Sequence, residues 1–365
     1  MAASLALALA YGHYTPAWQA PDEPAHYAFV HYLAQRGQLP ILHPGDYPTG
    51  SPPGPRAQLT DVSAYRYESH QPPLYYALEA VDYRLTGGNL FALRACTALM
   101  GMLLLPVAFV CARLVVPGRP WLWLAATAFI AFIPMHLFEA GTLDNDALAD
   151  LVTGSLLLLF LATARGWRHR LQWLLLGTVL GAALLTKLTA YAPALVLALG
   201  ACSLSLWERI GVRVRLCRCA RALGATVATA IAISGWWFVR NGLIYGWSDL
   251  LAQHRQAQVA ASQVQTGGLR GFDLPRFTVT SWDSFWGQFG WMSVPLPARD
   301  YTVLLAVTAL AALGWAAAGW QALAACRRAG RIVAPPFQVH PKSWAARTLL
   351  PDLLQAPQAL WTGLE

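Results

Sequence analysis

The residues with chemical potential fall into acidic and basic groups set against long apolar runs. Asp144, Asn145 and Asp146 open an apolar stretch in GTLDNDALAD over 141–150, and Asp150 follows one turn deeper. Acids beside a hydrophobic helix are costly without partners or a task. Helix capping accounts for one or two of them; a divalent cation or the hydroxyls of a sugar would account for the rest. Asp22 and Glu23 follow a proline in PDEPAHYAFVHYLAQRG over 21–37. There they either cap a helix, favoured by the positive end of its dipole, or perform chemistry, and local sequence leaves both open. Lys187, in LLTKLTAY, interrupts an apolar stretch, and Arg240 closes another beside Asn241 in WWFVRNGLIYG. Lys187 could simply snorkel to an interface, but two cations at one membrane surface would suit a phosphate.

The elements that must position these groups are membrane helices. The chain is 56% hydrophobic and 12% charged, with 16 Trp among 365 residues. A soluble domain carries roughly twice that charged share. Apolar blocks cover 97–116, 121–138, 147–164, 171–185, 188–207, 222–239 and 301–325. About 18 apolar residues cross roughly 30 Å of hydrocarbon as a helix. With a clipped first helix over 1–12, the blocks predict an all-α polytopic transmembrane bundle of about eight spans. Residues 1–331 form that domain, and the Pro-rich stretch 332–365 is expected to be a polar cytoplasmic tail.

Arginines concentrate in the short connections, at Arg113 and Arg119, Arg165 to Arg170, Arg209 to Arg221 and Arg327 to Arg331. The positive-inside rule puts these in the cytoplasm and sends the long segments 13–89 and 242–300, with nearly every carboxylate, to the periplasm or cell exterior. The net charge of +8 is split among helix ends, which suits anionic lipid and argues against nucleic acid. The cysteines lie in helices or basic loops, so no exported disulfide is implied. Within the first long segment, 21–37 and 69–84 read as amphipathic helices on the membrane surface, with Tyr75, Tyr76 and Tyr83 at the headgroup level. Between them, 40–56 is too rich in Pro and Gly for regular structure.

The motifs PDEPAHY, HQPPLYY, LDNDALA, LLTKLTAY, WWFVRNGLIYG and SFWGQFGWMSVPLP occur in this order between residues 12 and 325. Together they resemble a family of bacterial polytopic proteins close to the GT-C glycosyltransferases, which include protein O-mannosyltransferases and the lipid A aminoarabinose transferase. The resemblance implies transfer of a sugar from a polyprenyl-phosphate donor to a cell-envelope glycan, lipid or protein. It makes Asp22, or its neighbour Glu23, the catalytic base, which would accept the acceptor's proton as its oxygen attacks the anomeric carbon. Lys187 and Arg240 would hold charge on the leaving phosphate. His70 and Gln71 would bind sugar or phosphate, and Asp144 and Asp146 would hold a metal or orient the acceptor. Trp286 and Trp291 offer faces for sugar rings or an aromatic belt; His26 and His31 read as packing residues. The resemblance also implies a full first helix and further spans, so the chain reads as clipped at its ends. The alternative class is a transporter or flippase, which would show inverted repeats and helices broken near the midplane; the sequence suggests neither.

Overall fold

The computed structural model describes residues 1–47, 61–169, 171–207, 212–259 and 272–328. The tail 332–365, most of the Pro/Gly-rich span 40–56 and the side chains of several loop arginines lie outside these residues. The described chain is helical, apart from a short antiparallel pairing of Gln288 and Phe289 with Val294 and Pro295. The helices are α1 (Ala2–Tyr14), α2 (Glu23–Arg36), α3 (Leu74–Thr86), α4 (Leu90–Met102), α5 (Leu104–Val115), α6 (Pro120–Ala131), α7 (Pro134–Ala140), α8 (Asp146–Ala164), α9 (Gln172–Leu184), α10 (Tyr191–Ser203), α11 (Val212–Tyr245), α12 (Gln253–Val259), α13 (Leu274–Gly287), the kinked turn α14 (Phe289–Met292) and α15 (Ala298–Arg328).

Local chemistry sets several boundaries. Asn89 caps α4 by accepting from the Ala92 amide at 3.1 Å, and Asp273 caps α13 in the same way through Arg276. Helices α2 and α3 stop at Gly37 and Gly87, both left-handed, where glycine meets no Cβ penalty.

Among the described residues, four helical stretches are long and apolar enough to cross a membrane: Leu90–Val115, Asp146–Ala164, Val214–Tyr245 and Ala298–Gln321. A fifth is present if α6 and α7, bent by 61°, count as one broken span. This is fewer than the eight expected. Pro134 forces Ile133 into an extended conformation and breaks block 121–138. Blocks 171–185 and 188–207 yield α9 and α10, of 13 residues each, separated by the non-helical turn around Lys187. At 1.5 Å per residue each is roughly 20 Å long, short of the hydrocarbon core. Breaks inside apolar blocks, which hydropathy alone does not reveal, are therefore present.

The chain divides into two compact units, one of Met1–Ala164 with Arg168–Tyr301, the other of Arg165–Trp167 with Thr302–Glu365. In the first, α2 and α3 pack on one another and share a core with α8, α9 and α10. Phe29 stacks on Tyr76 with ring centroids 3.7 Å apart. The tyrosines expected at the headgroup level are instead this packed face. Tyr75 and Tyr76 are fully buried and Tyr83 nearly so, because their rings bury large apolar area and the Tyr75 and Tyr76 hydroxyls find partners inside. Helix α9 lies close to α11 through Gly177 and Gly181, small residues that let two backbones approach. In the second unit, α15 from Thr302 onward exposes large apolar side chains such as Leu310, Trp315 and Trp320, as a lipid-facing helix would.

Candidate functional site

Asp22 is the N-cap of α2 and holds a left-handed backbone, φ 57°. Its Oδ1 accepts a hydrogen bond of 2.8 Å from the Tyr67 hydroxyl. One helical turn on, His26 is buried, with Nδ1 2.8 Å from the Tyr76 hydroxyl and Nε2 3.6 Å from Asp144 Oδ2. Asp144 Oδ1 accepts from the Asp146 amide at 2.9 Å, shaping the start of α8, and from Lys187 Nζ at 3.3 Å. Lys187 Nζ also lies 2.7 Å from Asp146 Oδ2. The break between α9 and α10 brings Lys187 here: its residue is extended, and the Leu185 carbonyl just before it accepts from the Leu74 amide at the head of α3. Asn145, fully buried, reaches the Tyr76 hydroxyl and the Thr186 carbonyl, both at 3.4 Å.

The electrostatics follow from these contacts. Burial raises the Asp22 carboxyl above its ordinary value and Glu68 adds to the rise, while His26 and the Tyr67 hydrogen bond pull against it. Burial would also raise Asp144, but Lys187 and then His26 hold it well below the usual carboxylate range. Burial would lower His26 and Lys187, yet Asp144 keeps both above their ordinary values. Asp144 is thus a hub held ionised between the Lys187 ammonium and the His26 ring.

These groups border a cavity of about 820 Å³. Its lining combines Asp22, Glu139, Asp144, Asp146, Asp150 and Lys187 with Leu104, Ile130, Ile133, Met135, Phe138 and Phe285, completed by residues such as His136, Ser284 and Gln288. The bend between α6 and α7 supplies much of the apolar part. Such a lining can take a ligand that is polar at one end and apolar at the other.

Of the residues singled out in the sequence, the cavity gathers Asp22, Asp144, Asp146, Asp150 and Lys187. Glu23 goes elsewhere: fully buried, it forms a two-pronged ion pair with Arg94 and accepts from the amides of Trp18 and Leu143. Arg240 does not join Lys187. It donates to the Pro40 and Leu39 carbonyls and lies 4.9 Å over the Trp237 ring. Asn241 accepts from Arg240 and donates to the Leu250 carbonyl. His70 Nδ1 is 3.0 Å from the Tyr67 carbonyl, and the Tyr75 hydroxyl meets Thr97. Gln71 holds a buried Oε1 that accepts no hydrogen bond among the described residues. Trp286 packs edge-on to Phe129 and Phe285, and Trp291 donates to the Trp18 carbonyl. Glu23, His70, Gln71, Tyr75, Arg240, Asn241, Trp286 and Trp291 do not line the cavity.

His26, His136 and Glu139 belong to the site or its border and did not stand out as chemistry in the sequence. For His26 a signal existed, since it follows Asp22 by four residues and so shares its helix face. As for a metal, the oxygens of Asp144 and Asp146 that face one another are already taken by Lys187, so a divalent cation here would compete with that ammonium.

Residues 43–329 match the family model DUF2142, described as a predicted membrane protein, and the chain belongs to that family. No curated protein and no solved structure matches the chain.

Proposed function

We propose, from membership of that membrane-protein family as premise, that the chain is a glycosyltransferase acting on a polyprenyl-phosphate sugar at the exported face of a bacterial inner membrane. The single observation that carries the reading is the mixed lining of the cavity, where Asp22 borders the same space as Lys187 and a run of apolar side chains. A lipid-linked sugar needs both surfaces. In the reaction, the acceptor hydroxyl oxygen attacks the anomeric carbon and its proton passes to Asp22. The carbon–oxygen bond to phosphate breaks, and the lipid phosphate leaves with the electron pair. A buried carboxylate whose proton affinity is raised toward neutrality suits such a base. Lys187 supplies positive charge where the phosphate departs, once it shares its contacts with Asp144 and Asp146. The basic short connections support this orientation, which places the cavity outside the cytoplasm.

A second reading, a transporter of a polar or lipid-linked substrate, draws on one specific observation: the broken pair α6 and α7 and the break at Lys187 both border the cavity. One experiment separates the two. Wild type and Asp22→Asn are purified with native lipid, and release of labelled sugar from a panel of polyprenyl-phosphate sugars to cell-envelope acceptors is measured. Transfer by wild type and its loss in a folded Asp22→Asn supports the enzyme. Flux of the same donors across proteoliposomes without any transfer supports the transporter.

A further inference from the structure

Helices α3 and α4 form a hairpin joined by Gly87, Gly88 and Asn89. At its inner side Glu79 and Asp82, three residues apart on α3, meet Cys96 on α4. One ligand atom from each lies within 4.8 Å of the others. This trio is no part of the cavity lining.

The trio is short of donors. Glu79 is fully buried; its Oε1 accepts from the Thr97 hydroxyl at 3.0 Å, while its Oε2 has no hydrogen-bond partner among the described residues. Asp82 Oδ2 is buried without a partner as well. Burial pushes the Glu79 carboxyl up to about 8, so it can carry one proton of its own, and the Cys96 thiol adds a single weak donor; Asp82 Oδ2 is still left without a partner among the described residues, and a cation would replace both protons. The hairpin's arginines are committed elsewhere, Arg84 Nε to the Ala34 carbonyl and Arg94 to Glu23. Buried, unmatched acceptors that converge are costly unless something positive sits between them.

We propose that Glu79, Asp82 and Cys96 bind one divalent cation of the Zn²⁺ class, which staples α3 to α4. One sulfur with two carboxylates favours a borderline metal over Mg²⁺ or Ca²⁺. Zinc takes sulfur at about 2.3 Å and oxygen at about 2.1 Å, which sets tetrahedral ligands roughly 3.5 Å apart. Closing the trio by about 1 Å through side-chain rotation meets that distance. Water fills the fourth position. Binding displaces the thiol proton, so affinity rises with pH. The staple would fix the helix that carries Tyr75 and Tyr76, and it stands independently of the glycosyltransferase reading.

The test uses the full chain in detergent and reads alkylation of each cysteine by peptide mass spectrometry, with and without Zn²⁺. Cys96, partly exposed, should label at least tenfold more slowly with Zn²⁺, and a chelator should restore the rate. Mg²⁺ should have no effect. In Glu79→Gln and in Asp82→Asn, Zn²⁺ should no longer protect Cys96, while the slow labelling of buried Cys111 reports that each variant is folded. Unchanged Cys96 labelling in wild type, protection that persists in both variants, or zinc held only at the Cys217 and Cys219 pair would overturn the proposal.

Discussion

Arg94 clasps Glu23 through two contacts of 2.7 Å, Nε to Oε1 and Nη2 to Oε2, across 71 residues of sequence. The remaining reach of the guanidinium goes to the carbonyls of Gly12, Thr15 and Pro16, so this pair joins α4, the end of α1 and the start of α2. Removing one partner leaves the other charge buried and unpaired. Glu23→Gln should cost about 3–5 kcal/mol. The loss is read as a fall in the detergent melting temperature, and a variant that melts like wild type would show that the pair does not hold these helices.

The Lys187 contacts differ in exposure, and their energies should differ with it. The Asp144 side chain is 17% exposed, whereas that of Asp146 is 37% exposed and more strongly screened by solvent. A double-mutant cycle of Lys187→Met with Asp144→Asn should give a coupling of about 2–3 kcal/mol. The same cycle with Asp146→Asn should give about 1 kcal/mol or less. Equal couplings would mean that the exposed Asp146 holds the lysine as strongly as Asp144 does.

The pH profile of sugar transfer tests Asp22. A base must be ionised, so activity falls as pH drops through its pKa, and burial places that acid limb above the ordinary aspartate value. The Tyr67 hydrogen bond favours the charged form, so Tyr67→Phe should move the limb to higher pH. Glu68 favours the neutral form by repulsion, so Glu68→Gln should move it to lower pH. Shifts of the same sign in both variants would remove Asp22 from the role of base.

Glycine in α9 is a packing device. A Cβ at Gly177 would come 2.5 Å from the Thr226 carbonyl oxygen and 2.6 Å from Thr229 Cβ on α11, which leaves no room without a backbone shift. Gly177→Ala should therefore destabilise by about 1–3 kcal/mol. Gly224→Ala, where a Cβ meets nothing within 4 Å, should be neutral or mildly stabilising. Thermal unfolding of the two single variants makes the comparison.

The helical membrane class was legible because long apolar runs have one physical explanation, and Asp22, Asp144, Asp146 and Lys187, which border one cavity, stand out in the sequence because charge is expensive beside such runs. Their pairing was not. Lys187 lies 43 residues from Asp144 and was grouped with Arg240, since both end apolar blocks and nothing local says which ends meet. Glu23 and Asp22 are neighbours, and successive residues at a helix start point about 100° apart, so composition could not say which one turns toward Arg94. Arg94 lies just before the apolar block 97–116. An arginine in line with a spanning helix is a signal that a wider window would have caught. The span count failed at Pro134 and Lys187, where breaks inside hydrophobic sequence leave hydropathy almost unchanged.

The left-handed backbone at Asp22 separates shape from chemistry at that position. Asparagine and glycine share the conformation with little strain, while alanine, valine or glutamate pay for it. Side chains that keep the turn and side chains that accept a proton therefore overlap in aspartate. A homologous chain with Asn or Gly there would retain the bend into α2 and lack the carboxylate, so under the proposed transfer the identity of this one residue would sort relatives into those equipped for it and those that keep only the scaffold.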